Sequence, residues 1–358
     1  MLRYMLAIFL LVHVFFVGTP AWSKDGRITA SARKPSVQKT TPAKRKAVRV
    51  PTSKKKLRTA IRTRSPASAE PRRAASKRSI TARSMRKGAR LAHRAPRHVA
   101  SAALADSLDI EDSLNLKSSA VLVMDPARGE VLFTKNADAV LPIASITKLM
   151  TALVVLEAGQ DMREVLTVTR DDIDTIKHTS SRLRIGSKLT RANMLHIALM
   201  SSENRAASAL GRHYPGGLKA FVAAMNAKAK SLGMHSTRYV EPTGLSSQNV
   251  SSASDLAKLV MAAQQQPVIR KYSTNREYSV DPGGPVLRYR NSNRLVANPQ
   301  WDIVLQKTGY IAEAGRCLVM NTIIDGRSIV MVFLDARGKF ARAADAGRIR
   351  QWLERLQM

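Results

Sequence analysis

A chain of 358 residues with 44% apolar content can bury a sizeable core, yet 59 Lys and Arg against 26 Asp and Glu leave a formal charge of +33. That excess raises nucleic acid, membrane surfaces and other anionic polymers as partners, and the single cysteine, Cys317, excludes an internal disulfide framework. The charge is concentrated rather than spread: between Lys24 and His98 there are 25 Lys or Arg against two acids, Asp25 and Glu70.

The first residues read as an export signal. Arg3 supplies a positive start, Met5 to Val17 an apolar run, and Ala21-Trp22-Ser23 small residues at the cleavage spacing. The run is short for a membrane span, so the expectation is a signal peptide over residues 1–23, with an uncleaved anchor as the alternative. From Lys24 to about Ala100 the sequence is rich in Lys, Arg, Ser, Ala and Pro and contains no Phe, Trp or Tyr. Such a segment cannot bury enough apolar area to offset its ordering entropy, and residues 24–105 are expected to be a disordered basic linker. It could hold the protein near anionic polymers, or serve only as a solvated tether.

Order is expected from Asp106 to the end, as one domain over 106–358. Ala120 to Met124, a turn at Pro126–Gly129 and Val131 to Phe133 form a hairpin signal. Pro142 then leads a predicted helix with Leu149, Met150, Leu153 and Val154 at helical spacing, ending near Gly159. From about Arg191 to Gln265 the pattern is mostly helical, including Leu218 to Leu232 and Asp255 to Gln264. Cys317 to Ile324 and Ser328 to Leu334 flank Asp325-Gly326, a strong hairpin turn, and Cys317 is expected as a buried strand thiol. A last helix places Ala346, Ile349, Leu353 and Leu356 on one face. Strands at both ends with helices between predict a mixed α/β (α+β) fold: one antiparallel sheet fed by both termini, covered by helices, with an inserted helical lobe.

Three short motifs carry chemistry. Ser145-Ile146-Thr147-Lys148 puts a hydroxyl and an amine one helical turn apart, and a lysine held neutral can activate a serine. Ser31/Lys34, Ser36/Lys39, Ser53/Lys56 and Ser84/Lys87 share that spacing, but only Ser145 opens an apolar-periodic helix able to bury the amine. Ser202-Glu203-Asn204 interrupts an apolar helix with polar residues. It reads either as a proton relay with an amide that holds Lys148 and substrate backbone, or as a capped helix end. Lys307-Thr308-Gly309 follows the apolar Ile303-Val304-Leu305. A cation and a hydroxyl on an edge strand can bind a carboxylate while Gly admits substrate backbone, although a surface lysine before a turn would look the same.

Together and in this order the motifs resemble the active-site signature of serine penicillin-binding proteins and serine β-lactamases. The span from about Ser118 to Leu356 more narrowly resembles the periplasmic D-alanyl-D-alanine endopeptidases of the penicillin-binding protein 7 type. Pro142-Ile143-Ala144-Ser145, Met200 to Ala207, His213-Tyr214-Pro215-Gly216-Gly217, Met225 to Met234 and Val240 to Ser246 carry that likeness. The long basic segment departs from the family pattern.

The resemblance implies a β-lactamase/transpeptidase-like fold, no cofactor, a peptidoglycan peptide as substrate and β-lactams as inhibitors. It also implies Ser145 as nucleophile, Lys148 as base, Ser202 as proton relay, and Asn204, Lys307, Thr308 and Gly309 as substrate contacts, with the backbone N–H groups of Ser145 and Tyr310 as oxyanion hole. The β-lactamase alternative lacks a Glu-x-x-Leu-Asn element between Asn204 and Lys307, and Glu241 is the one acid there in a distinctive loop. A D,D-carboxypeptidase shares the motifs. The sequence up to Met358 shows neither the extra C-terminal β-domain nor the amphipathic anchor of many carboxypeptidases, so an endopeptidase is expected. A nucleic-acid-binding protein is disfavoured by the export signal and by the lack of aromatics for stacking in the basic segment. The seven histidines (His13, His93, His98, His178, His196, His213, His235) have no ligand spacing, so no metal is expected.

Overall fold

The structure, a computed structural model, describes residues 113–356, which lie in one compact unit. The expected signal peptide, the basic segment and the expected onset of order at Asp106 lie outside the described residues. In chain order the chain forms β1 (Ala120–Asp125), β2 (Glu130–Lys135) and the two-residue β3 (Leu141–Pro142). A 3₁₀ turn at Ala144–Ile146 runs into α1 (Thr147–Glu157), followed by β4 (Val165–Thr167) and β5 (Lys188–Thr190). Then come α2 (Arg191–Met200), α3 (Asn204–Arg212), α4 (Gly217–Ser231), β6 (Val250–Ser251), α5 (Ala253–Gln264) and α6 (Pro267–Thr274). The hairpin β7 (Glu277–Val280) and β8 (Leu287–Arg290) precedes β9 (Asp302–Ile311), β10 (Gly315–Ile324), β11 (Arg327–Ala336) and α7 (Ala341–Leu356).

Five strands make one antiparallel sheet in the order β2-β1-β11-β10-β9, so the first and last strands of the chain pair at its middle, as expected from the two apolar ends. Side chains alternate across a strand, and here both faces are covered. Ala120, Leu122, Val319, Val330 and Val332 pack into the helical core on one face, while Val121, Val123, Met320, Met331 and Phe333 pack under α7 on the other. This double burial is why the strands read as continuous apolar runs instead of the alternation usual in a half-solvated antiparallel sheet. The β10–β11 turn uses Asp325 (φ 48°) and Gly326 (φ 75°), the doubly left-handed geometry that suits a two-residue hairpin.

Three features differ from the sequence expectation. α1 is not amphipathic: every residue from Thr147 to Val155 is buried, because the helices α2, α3, α4 and α5 enclose it. The strand pair β4–β5, the hairpin β7–β8 and the helix α6 are too short to leave a periodic signature. On α7, Ala346, Ile349 and Leu353 are buried, whereas Leu356 in the final turn is 65% exposed because the helix has run past the sheet.

α7 is fastened by one buried acid. The Asp345 carboxylate accepts hydrogen bonds from Ser118 N (2.8 Å), Ser118 Oγ (2.7 Å) and Lys117 N (3.1 Å), and pairs with Arg348 at 2.7 Å. Removing it strands several buried donors. Asp345→Ala is expected to lower unfolding stability by about 3 kcal/mol in a urea titration, with the slope of the transition unchanged.

Candidate active site

The short pairing of β3 with β6 delivers the chain to the 3₁₀ turn that carries Ser145, so Ser145 precedes α1 instead of opening it. An i, i+3 spacing fits either geometry, which is why sequence could not separate them. Ala144 sits at φ 47°, a left-handed conformation costly for a residue with a Cβ. The turn is held from both sides: Thr147 Oγ1 donates to Ala144 O at 2.8 Å, and Gly244 (φ 80°) lies so close that a Cβ there would be 2.0 Å from Ala144 O.

Lys148 Nζ is fully buried and lies 2.8 Å from Ser145 Oγ, 2.8 Å from Asn204 Oδ1 and 2.6 Å from the carbonyl oxygen of Thr243. Burial depresses its pKa from 10.5 to about 8, against the opposing pull of the Glu241 and Glu203 carboxylates. A neutral amine here can donate to Asn204 and Thr243 and turn its lone pair toward the Ser145 hydroxyl. Thr243 lies outside the three chemical motifs, in the Val240 to Ser246 stretch that carries the family likeness. Its loop is organised by Glu241, whose carboxylate accepts from the N–H of Thr243 (2.6 Å), the N–H of Gly244 (2.6 Å) and the side chain of Asn249 (3.0 Å). Those hydrogen bonds within its own loop occupy Glu241.

The structure brings Ser202 and Asn204 to the same cleft, at the break between α2 and α3, with Ser202 in a left-handed conformation (φ 63°). Ser145, Ser202, Asn204, Thr308, Gly309 and Tyr310 line a cavity of 220 Å³, closed on the sheet side by the edge strand β9. Gly309 has no room for a side chain: a Cβ would lie 2.9 Å from Ile143 O and 3.1 Å from Ser145 N. Thr308 Oγ1 is 2.7 Å from Ser292 Oγ.

Lys307 is placed differently from the expectation of a substrate-facing cation. It is fully buried, does not line the cleft, and donates to Thr308 O at 2.9 Å. Burial first, then the charges of Lys148 and Arg342, push its pKa well below the ordinary value. The cation on the cleft wall is Arg342, which donates to the carbonyls of Gly309 (2.7 Å) and Cys317 (3.0 Å). Sequence reasoning missed it. The available signal was its place in the first turn of α7, where the helix dipole disfavours a positive charge unless another contact needs it.

Thr179 also lines the cleft and accepts from Asn204 Nδ2 at 3.1 Å. It is positioned by Asp174: burial opposes ionisation there, but hydrogen bonds from Lys177, Thr179 and Ile176 hold the carboxyl at about 2. In the same loop Lys177 forms an ion pair with Glu313 in the β9–β10 turn, joining the two sides of the cleft. Cys317 is buried, and burial pushes its thiol up to about 11, consistent with an inert strand residue.

Residues 107–338 match the family described as D-alanyl-D-alanine carboxypeptidase, peptidase S11. The chain belongs to this family. A D-alanyl-D-alanine endopeptidase of Pseudomonas aeruginosa is 51% identical over 241 residues, covering 67% of this chain and 78% of that protein. The D-alanyl-D-alanine endopeptidase of Escherichia coli K12 is 47% identical over 262 residues, covering 73% and 84%. Among solved structures, the Streptomyces K15 DD-transpeptidase superposes with a TM-score of 0.62 at 27% identity, covering 66% of this chain and 97% of that one. A D-alanyl-D-alanine carboxypeptidase from Mycobacterium tuberculosis gives 0.60 at 26% identity, with 66% and 91% covered.

In this S11 peptidase, Gly244 is the position where the loop and the serine turn meet. Gly244→Ala is expected to displace the turn and cut the rate of acylation by labelled penicillin by about 100-fold, with the circular dichroism spectrum retained.

Proposed function

We propose that the protein is a serine D,D-endopeptidase that opens D-alanyl cross-links in peptidoglycan through an acyl-enzyme. The observation that carries the reading is the buried Lys148 amine, 2.8 Å from the Ser145 hydroxyl and from Asn204. Ser145 Oγ attacks the carbonyl carbon of a D-Ala residue while Lys148 Nζ takes its proton. The N–H groups of Ser145 and Tyr310 receive the developing oxyanion, a contact whose loss typically costs on the order of 100-fold in rate. Ser202 relays a proton to the departing nitrogen as the C–N bond breaks. Water then attacks the ester by the reverse proton path and frees Ser145.

Asn204, Thr308 and Gly309 hold the substrate backbone, and Arg342 supplies the cation on the cleft wall that a carboxylate would meet. Lys307 acts from beneath: buried with its amine donating to the Thr308 carbonyl, it fixes the strand that carries Thr308 and Gly309. β-Lactams would acylate Ser145 as mimics of D-Ala-D-Ala. We further infer an exported, periplasmic enzyme with residues 1–23 as signal peptide, 24–105 as a basic linker able to contact anionic polymers, and 106–358 as the catalytic domain.

Labelled penicillin is expected to mark the purified protein, and Ser145→Ala to abolish the label; equal labelling of the variant removes Ser145 from its role. Cross-linked muropeptide dimers should be cleaved to monomers. The second reading, a D,D-carboxypeptidase, is favoured by the family description and by a Bacillus subtilis relative of that name at 33% identity. It would release terminal D-Ala and leave dimers intact.

The reaction needs an unprotonated Lys148, whose pKa is depressed to about 8. The rate of penicillin acylation should therefore rise with pH, reach half its limit near 8, and flatten above it. Below that point it should fall about tenfold per pH unit. A flat profile from about pH 6 to about pH 10 would show that Lys148 does not act as the base.

A further inference from the structure

The cleft does not end at Asn204. Ser202 and Asn204 also line a neighbouring polar cavity of 370 Å³ whose other walls include Ser181, Arg182, Glu203 and Tyr289. Ser181 and Arg182 in turn border an open depression of 690 Å³ that reaches the β7–β8 turn at Pro282–Pro285. A groove thus runs outward from Ser145 past Glu203, in addition to the pocket where the acyl group forms.

Glu203 has an unusual position in it. It is nine-tenths buried, and its carboxylate accepts from Ser181 Oγ (2.7 Å), the N–H of Arg205 (3.2 Å) and the hydroxyl of Tyr289 (3.4 Å). These donors are all neutral groups. A buried carboxylate satisfied only by neutral donors and facing a cavity gains from an incoming cation. Tyr289, only 1% exposed, also holds the opposite charge: the Arg182 guanidinium lies 4.0 Å from its ring centroid and donates to Arg288 O at 2.7 Å. One tyrosine therefore holds a carboxylate at its hydroxyl and a guanidinium on its face, both on the wall of one cavity.

Resting on the D,D-peptidase reading above, we propose that this groove is a subsite for a stem-peptide side chain ending in a free amine beside a carboxylate, the ammonium meeting Glu203 and the carboxylate meeting Arg182. An extended stem bound along β9 with its D-Ala carbonyl at Ser145 has a preceding residue that leaves the pocket, and this groove is the open polar exit beside Ser202 and Asn204. The subsite selects stems whose side-chain amine is unmodified.

The test uses the full chain and three synthetic cross-linked peptide dimers that differ only in the residue before the attacked D-Ala: 2,6-diaminopimelyl, lysyl or norleucyl. The wild type should cleave the lysyl dimer with a kcat/KM on the order of tenfold above the norleucyl dimer, and the diaminopimelyl dimer better still. Glu203→Gln should bring the lysyl-to-norleucyl ratio close to one. Arg182→Gln should remove only the gain of diaminopimelyl over lysyl. Ratios within one variant cancel any effect of Glu203 on Lys148, and the wild-type comparison stands even if a variant fails to fold. Equal cleavage of all three dimers by the wild type, or a lysyl preference that survives Glu203→Gln, overturns the subsite. If the wild type also fails to bind penicillin and cleaves none of the dimers, the D,D-peptidase reading itself falls, and the subsite with it.

Discussion

The molecule is built around the removal of one ammonium group from water. A fall in the Lys148 pKa from 10.5 to about 8 corresponds to about 3 kcal/mol disfavouring the charged amine, comparable to the whole contribution of a well-placed buried interaction. That energy comes from enclosing α1 on all sides, which is why a helix carrying a lysine is also the most deeply buried helix around the site. The amine stays hydrogen-bonded only because the chain is bent to meet it. Ala144 and Ser202 take left-handed backbone conformations, and Gly244 gives up its side chain so that the Thr243 carbonyl can reach Nζ. Strain of this kind persists where surrounding packing over-determines it.

Two acids near that amine have different uses. Glu241 and Glu203 both favour its charged form, yet neither makes a direct contact with it. Glu241 is consumed by the loop it shapes, and its hydrogen bonds fix the Thr243 carbonyl. Glu203 caps the start of α3 and faces open space. Similar residues two hydrogen-bond networks apart therefore differ in what they can still bind.

What was legible in the sequence followed from local spacing. Ser145 with Lys148, and Ser202 with Asn204, are close in sequence and lie on elements whose apolar flanks announce them, so their convergence in one cleft could be anticipated from motif order. The sheet was legible because its long strands are apolar and Asp325-Gly326 marks a tight turn. Thr179 and Arg342 were not, and Thr243 and Gly244 were marked only as part of a family-like stretch without a role, since each acts at the site through contacts made only in three dimensions, from a polar loop or a helix end with no periodicity of its own. Lys307 shows the limit of a motif: it located the strand, but the full burial of the side chain depends on packing that the sequence does not display.

β9 closes the cleft, and it is the outermost strand of the sheet. A bare edge of this length ordinarily invites other chains to join it, and proteins blunt such edges to stay soluble. Here the helical lobe stands across it and leaves a slot, so that the hazard becomes a docking rail for a single extended polymer. Attachment through main-chain groups recognises the shape of a strand before any side chain is read. Any segment that pairs with this edge must first lie extended, because only an extended backbone can match the spacing of its free donors and acceptors.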